Sequence, residues 1–254
     1  MAYRYATQRK DYSDYARGRV LYGQHGHPAY PVRLASEIWQ RCTAVLREEG
    51  RPGPYTLYDP CCGGAYLLTT LCLLHRPEIA AAVGSDVDAG VLETARHNLA
   101  LLSVEGMERR IDEVRALHQA YGKPSHAAAV ESAQRLRERL RDAAGSEIET
   151  RVFVADATDP CALEEGLAGL PIDVLIADLP YGRDSQWKGL QEDTRSSCSP
   201  LIQMLDALGA VLAPQTVVAL SADKATKLVH PAYRRLGRFR LGKRQVTLLR
   251  SPAC

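Results

Sequence analysis

The residues Asp178-Leu179-Pro180-Tyr181-Gly182 directly follow Val174 to Ala177, an apolar run that reads as a buried strand. A carboxylate, a proline carbonyl and an aromatic ring at a strand's end can grip a planar base carrying N–H groups. Hydrogen bonds from an exocyclic amino group to Asp178 and to the Pro180 carbonyl favour a more tetrahedral nitrogen. The carboxylate also offsets the positive charge that develops there during attack. Tyr181 stacks on the base, and a base reached this way must first leave its helical stack.

Such a base needs something to react with, and three other strand ends supply it. Asp59-Pro60-Cys61-Cys62-Gly63-Gly64-Ala65 places an acidic residue before two glycines, where backbone N–H groups at a helix start approach a ligand closely. Gly84-Ser85-Asp86-Val87-Asp88 offers Asp86 to a ribose diol, while Asp88 reads as the N-cap of the next helix. Val154-Ala155-Asp156-Ala157 places Asp156 for an adenine amino group. Neither G-x-G-x-x-G nor G-x-x-x-x-G-K-[ST] occurs, which disfavours a dinucleotide and a P-loop nucleotide. A ligand with an amine, a ribose and an adenine but no pyrophosphate is S-adenosylmethionine.

The elements that must position these residues alternate. Strands are predicted at Thr56 to Tyr58, Ala81 to Gly84, Ile148 to Val154, Val174 to Ala177 and Val217 to Leu220. Helices are predicted from Pro31 to near Gly50, Ala65 to Leu74, Asp88 to about Leu102 and Pro200 to Leu208. Phe239 to Leu241 and Gln245 to Leu249 read as a terminal antiparallel pair. The pattern specifies an α/β fold, an open and mostly parallel sheet covered on both faces. It divides the chain into an N-terminal Tyr/Arg-rich and helical extension, 1–53, and a main domain, 54–254. Residues 103–147 break the rhythm with two charged helical segments, about Glu105 to Tyr121 and Ser125 to Asp142. They read as a helical insertion on the sheet edge, structural or substrate-contacting.

Charge places the polyanion. The net charge is only +2, but from Lys224 to the C-terminus there are nine Lys/Arg and no Asp/Glu. Arg234, Arg235, Arg238, Arg240, Lys243 and Arg244 are the expected phosphate contacts there. The first 33 residues add six Lys/Arg and six of the twelve tyrosines, as guanidiniums and rings for stacking on unpaired bases or as an ordinary packed tail. Trp187 is placed either to close over the base or to pack; His25 and His27 lack a third metal ligand, and no metal is expected. No apolar run reaches membrane-span length and the N-terminus is polar. Seven cysteines without a CxxC pair argue for reduced thiols in a cytoplasm.

At these residues the chain resembles the class I methyltransferases that modify amino groups of bases. Asp59-Pro60-Cys61-Cys62-Gly63-Gly64 is similar to their D-P-x-C-G-x-G loop, and Gly84-Ser85-Asp86-Val87-Asp88 to their G-x-D-x-D. Asp178-Leu179-Pro180-Tyr181-Gly182 is similar to their [DN]-x-P-Y-G. With Tyr58 to Tyr66, Gln24-His25-Gly26-His27-Pro28-Ala29-Tyr30-Pro31 and the helical insertion added, the likeness extends over essentially the whole chain. It points to the avilamycin-resistance family of 23S rRNA guanine methyltransferases.

That resemblance implies a Rossmann-like sheet with an antiparallel last strand, an N-terminal helical extension and a two-helix insertion. It implies methyl transfer from S-adenosylmethionine to guanine N2 or N1 in 23S ribosomal RNA, free or in the large subunit, with no DNA or membrane partner. Asp59, Cys61, Gly63 and Gly64 would then hold the methionine part, Asp86 the ribose, and Asp156 with Ala157 the adenine. Asp178, Pro180 and Tyr181 would face the guanine. The motif points to N2, while Asp178 could instead draw the proton from N1–H. Two departures stand out: Ala65 replaces a further glycine of the loop, and Leu179 the more common proline. The rival readings are adenine or a protein glutamine as substrate, or RNA binding without catalysis.

Overall fold

The structure is a computed structural model describing residues 3–23, 29–143, 145, 147–179 and 199–252 of the 254-residue chain. The expected strands form as β1 (Tyr55–Asp59), β2 (Ile79–Asp86), β3 (Glu149–Val154), β4 (Val174–Asp178), β5 (Val217–Asp223), β6 (Arg234–Leu241) and β7 (Arg244–Arg250). They make one sheet in the order β3-β2-β1-β4-β5-β7-β6. β7 alone runs against its neighbours β5 and β6, while the others pair in parallel.

β4 shows why its sequence is an unbroken apolar run. Val174 and Ile176 enter a core shared with α1 (Val32–Glu48), α2 (Tyr66–Leu74) and α3 (Val91–Ala100). Leu175 and Ala177 point to the other face, under α6 (Pro160–Leu167) and α7 (Pro200–Val211). With both faces covered, neither set can be polar. Each leucine so buried contributes roughly 1.5–3 kcal/mol.

The insertion forms α4 (Val104–Tyr121) and α5 (Pro124–Asp142), within a residue of the expected bounds. Punctuation made these limits legible. The Ser103 hydroxyl accepts the Gly106 N–H at 3.0 Å, Gly122 ends α4 at φ 62°, and Pro124 starts α5. The partner of the insertion was not legible. Tyr15, Val20 and Leu21 of the N-terminal segment form a third apolar cluster with Met107 and Ile111 of α4 and Leu136 and Leu140 of α5.

Two local expectations need correction. Asp88 is not the cap of α3, which starts three residues later at Val91. Its carboxylate accepts the Gly90 N–H at 2.9 Å, so it makes a turn ahead of the helix. The helix after Asp156 also went unread: Asp159 caps α6 through the Cys161 and Ala162 N–H groups. Among the described residues no helix is long and apolar enough to cross a membrane.

Candidate active site

The sheet order reverses between β1 and β4, the point at which open α/β sheets bind ligands at the carboxyl ends of their strands. Asp59 ends β1 and Asp178 ends β4. Both line one cleft, together with Cys61, Gly63 and Gly64 of the loop after β1.

Asp59 is 3% exposed, and its carboxyl accepts the Cys61 N–H at 3.0 Å. No Lys, Arg or His pairs with it among the described residues. Burial, with lesser contributions from Asp86 and Asp178, pushes its pKa up to about 8. A buried carboxyl in this condition fits a ligand ammonium, which would restore its charge. Cys61 is half-buried, and burial with Asp59, Asp86 and Asp156 pushes its thiol up, so the three acidic strand ends converge on it.

The turn that carries the loop keeps its shape without the missing glycine. Gly63 has φ 51° and Ala65 φ 55°, so an alanine occupies left-handed backbone that L residues resist by roughly 1–2 kcal/mol. Ala65 is fully buried, so packing of its methyl group offsets that strain. Beneath the loop, a Cβ on Gly84 would lie 2.8 Å from Cys62 Sγ. Glycine on β2 is what lets the loop sit down on the sheet.

Asp86, expected to receive a ribose, makes two backbone contacts of its own. One carboxylate oxygen accepts the Gly63 N–H at 2.9 Å and the other the Asp88 N–H at 3.0 Å. It therefore ties the loop after β1 to the end of β2. Asp156 spends one oxygen on the Thr158 N–H and hydroxyl, at 2.9 and 2.7 Å, while the other makes no bond among the described residues. Ala157 is 6% exposed, with its side chain in the second-face core, which leaves its backbone as what a ligand could meet. Taken together, the donor set fits an amino acid, a ribose and an adenine in that order along the strand ends.

Asp178 shows what the motif alone did not. The Arg244 guanidinium, from β7, lies 3.3 and 3.5 Å from its two oxygens and 5.0 Å above the Tyr30 ring. Arg244 therefore departs from the expected phosphate contacts: its side chain is 15% exposed and held between Asp178 and the Tyr30 ring. Burial raises the Asp178 pKa to about 6, with Arg244 and Ser221 opposing. Pro180, Tyr181, Trp187, His25 and His27 lie outside the described residues.

The N-terminal segment, read as an RNA-stacking arm or a packed tail, is packed and lines the cleft. Glu37 of α1, fully buried, accepts the backbone N–H groups of Arg4, Tyr5 and Ala6 at 2.7–2.8 Å. Asp14 accepts Arg135 of α5 at 2.6 Å, and Asn98 of α3 accepts the Tyr22 N–H at 2.8 Å. These ties deliver Arg17, Tyr22 and Tyr30 to the cleft wall. Nothing in their spacing announced it, because every tie is long-range.

Arg234, Arg235, Arg238 and Arg240 are exposed on β6, the edge strand, and Lys243 is exposed at the β6–β7 turn. Arg250 instead turns inward to Glu49 and the Gln215 carbonyl. Among the described residues no cluster of three or more His, Cys, Asp or Glu side chains could hold a metal.

A sheet of this order with one reversed strand, and acidic side chains at the ends of β1, β2 and β4, define a class I S-adenosylmethionine-dependent methyltransferase. Comparison with known proteins narrows the class. The chain belongs to the family described as rRNA methyltransferase AviRa, whose family model matches residues 1–244. It is 43% identical over 250 residues to the 23S rRNA (guanine(2535)-N(1))-methyltransferase of Streptomyces viridochromogenes, spanning 98% of this chain and 96% of that one. Two solved structures of rRNA methyltransferase aviRa from that organism superpose with a TM-score of 0.86, at 42% and 41% identity, over 99% of this chain and 97% of theirs.

Proposed function

We propose that the protein methylates N1 of a guanine in 23S ribosomal RNA and thereby confers resistance to avilamycin, acting in the cytoplasm. The observation that carries this reading is a half-buried carboxyl, Asp178, lining a cleft together with the loop after β1. Its pKa of about 6 leaves it ionised at neutral pH, yet basic enough to take a proton.

When bound, S-adenosylmethionine supplies a methyl group whose sulfonium needs no acid assistance to leave. The work left to this chain is positioning and proton removal. Asp59 holds the ammonium, with Gly63 and Gly64 around the methionine part. Asp86 receives the ribose and Asp156 the adenine, while the backbone at Cys61 and Ala157 borders the ligand. Asp178 accepts the N1 proton as N1 bonds to the methyl carbon, and the electron pair of the broken carbon–sulfur bond stays on sulfur. Pro180 and Tyr181 hold the flipped base. The exposed Arg/Lys of β6 and its turn contact phosphates, which fixes orientation without reading sequence. Residues 54–254 act as the catalytic unit, and the N-terminal extension, braced by the 103–147 insertion, contributes to its cleft wall.

The test is transfer of labelled methyl to separated ribosomal RNAs, followed by nucleoside analysis. Label in 1-methylguanosine of 23S rRNA is expected. Label in N2-methylguanosine or in an adenosine would overturn the assignment.

A further inference from the structure

We propose that Arg17 binds the carboxylate of S-adenosylmethionine while Asp59 takes its ammonium, so that the cleft selects the amino-acid end as a zwitterion. The inference rests on the reading of this cleft as the cofactor site. It goes beyond that reading in naming the group that recognises the carboxylate.

Among the described residues that line the cleft, Arg17 is the one Lys, Arg or His, and it shares that lining with Asp59, Gly63, Gly64 and Asp178. It is half-buried, and no hydrogen bond or ion pair engages its guanidinium among the described residues. Burial pushes its pKa down, and only the Tyr66 phenol opposes; no carboxylate among the described residues acts on it. The guanidinium remains charged at neutral pH all the same. Asp59, for its part, responds to Cys61, Asp86 and Asp178 but not to Arg17. The cleft thus holds a carboxyl without a cation and a cation without a carboxylate. Partly desolvated charges left unpaired are costly, and a ligand carrying an ammonium and a carboxylate on one carbon relieves both.

The fold fixes where this cation stands. Two residues before it, the Tyr15 carbonyl accepts the Tyr66 hydroxyl at 2.7 Å, and Tyr66 opens α2 directly after the cofactor loop. Five residues after it, the Tyr22 N–H donates to Asn98 at 2.8 Å, and the Asn98 amide donates to the Gly64 carbonyl at 2.8 Å. One fully buried side chain therefore joins the segment to the loop itself. Between these ties the chain closes a turn, in which the Gly18 N–H bonds the Leu21 carbonyl at 2.9 Å. Gly23 completes the seat. A Cβ there would lie 3.2 Å from Arg17 Cγ and 3.3 Å from Nε, so glycine lets the arginine lie against the backbone.

The ligand's chemistry calls for such a group. A carboxylate entering a cleft lined by the acidic ends of β1 and β4 is repelled unless a cation meets it. A guanidinium offers parallel N–H donors that match two carboxylate oxygens. Holding the α-carbon through both of its charged groups also limits where the sulfonium, a short chain away, can stand. Recognition of the zwitterion is thereby also positioning of the methyl group.

The experiment is calorimetric titration of the full chain, wild type and Arg17→Ala, with S-adenosylmethionine and with its decarboxylated form. The latter keeps the amine, the sulfonium and the adenosine. Wild type should bind the carboxylated ligand about 10–100-fold more tightly, the range for hydrogen bonds to a charged group. In Arg17→Ala that preference should vanish, with the decarboxylated ligand bound no more weakly than by wild type, which also shows that the cleft still folds. Arg17→Lys should recover part of the preference. Equal loss for both ligands would overturn the proposal by exposing a structural role. A preference that survives in Arg17→Ala would overturn it too, by handing the carboxylate to backbone N–H groups of the loop. Asp59→Asn should weaken both ligands; if it weakens neither, or if wild type binds neither, the cofactor reading falls first and this inference with it.

Discussion

Asp86 accepts the backbone N–H of Gly63 at 2.9 Å, so the carboxylate at the end of β2 holds the loop that follows β1. Because the other oxygen binds the Asp88 N–H, both strand ends are set by one side chain. Asp86→Asn should break one of these bonds, since the amide NH2 cannot accept. We expect at least tenfold weaker S-adenosylmethionine binding by calorimetry and roughly 1–2 kcal/mol lower stability in urea. Unchanged affinity would show that the ribose and the loop depend on other groups.

Asp59 makes cofactor binding a proton-linked event. With a pKa raised to about 8 by burial, its carboxyl is mostly neutral at pH 7 in the free protein. Pairing with an ammonium requires the ionised form, so binding at pH 7 should release close to one proton. Above pH ~8 the ligand's own α-amino group is neutral, and binding should take a proton up instead. Affinity should therefore peak near pH 8, and calorimetry in buffers of different ionisation enthalpy reads the sign directly. The raised pKa also means that ionisation opposes folding: the free protein loses stability as pH rises from about 4 through 8. Asp59→Asn should accordingly stabilise the free protein at pH 8.5, by on the order of 1–3 kcal/mol in urea unfolding, while abolishing cofactor binding. A destabilised variant would argue for an internal cation.

Asp178 sets a second pH window. Acting as a base, it must be ionised, so kcat/KM should rise tenfold per unit up to pH ~6 and then level off. Arg244, which opposes the effect of burial on Asp178, should lower that limb; Arg244→Ala should move it to higher pH. Among the described residues, the charged or polar groups that act on Asp178 or feel it are Arg244 from β7, Ser221 from β5, Asp59 from β1 and Tyr30 ahead of α1. A limb that stays in place in Arg244→Ala would remove the guanidinium from this role.

What the sequence disclosed and what it hid divide along contact range. Asp59, Asp86, Asp156 and Asp178 were legible because strand ends announce themselves through local patterning, and an open sheet gathers such ends on one side. The limits of α4 and α5 were legible for the same reason, since Ser103, Gly122 and Pro124 act on their own neighbours. Arg244 was read as one more basic residue in a cationic tail. Its partners, Asp178 and the Tyr30 ring, lie far away in the chain, and no local pattern encodes such contacts. Tyr30 was hidden likewise, since its ring meets Arg244 from the other end of the chain.

Those ties give a prediction of their own. Asp14 is 8% exposed, and hydrogen bonds from Arg135 hold its carboxyl below its ordinary pKa. Asp14→Ala should release the segment that carries Arg17 and Tyr22. Arg17 lines the cleft with Gly63, and as a cation there it would suit the carboxylate of a methionine part. We expect weaker S-adenosylmethionine binding in both Asp14→Ala and Arg17→Ala, with faster amide exchange across 12–23 only in the former. Normal exchange in Asp14→Ala would place the anchor elsewhere.

The exposed cations of β6 differ in distance from the chemistry. Leu241 pairs with Arg244, whose guanidinium reaches Asp178, whereas Arg234 pairs with Arg250 at the far end of the strand. At about 3.4 Å per residue, Arg234 lies roughly 20 Å from the reacting end, while Arg240 and Lys243 stand beside it. RNA that delivers a base to Asp178 must pass the near pair. Arg240→Ala with Lys243→Ala should weaken RNA binding at least tenfold and flatten the slope of log K against log salt by about 1.4–1.8, the loss of two phosphate contacts. Arg234→Ala with Arg235→Ala should do less, unless the bound RNA runs along the whole edge. Filter binding across a salt series separates these cases, and equal slopes for wild type and the Arg240/Lys243 variant would take the RNA off this edge altogether.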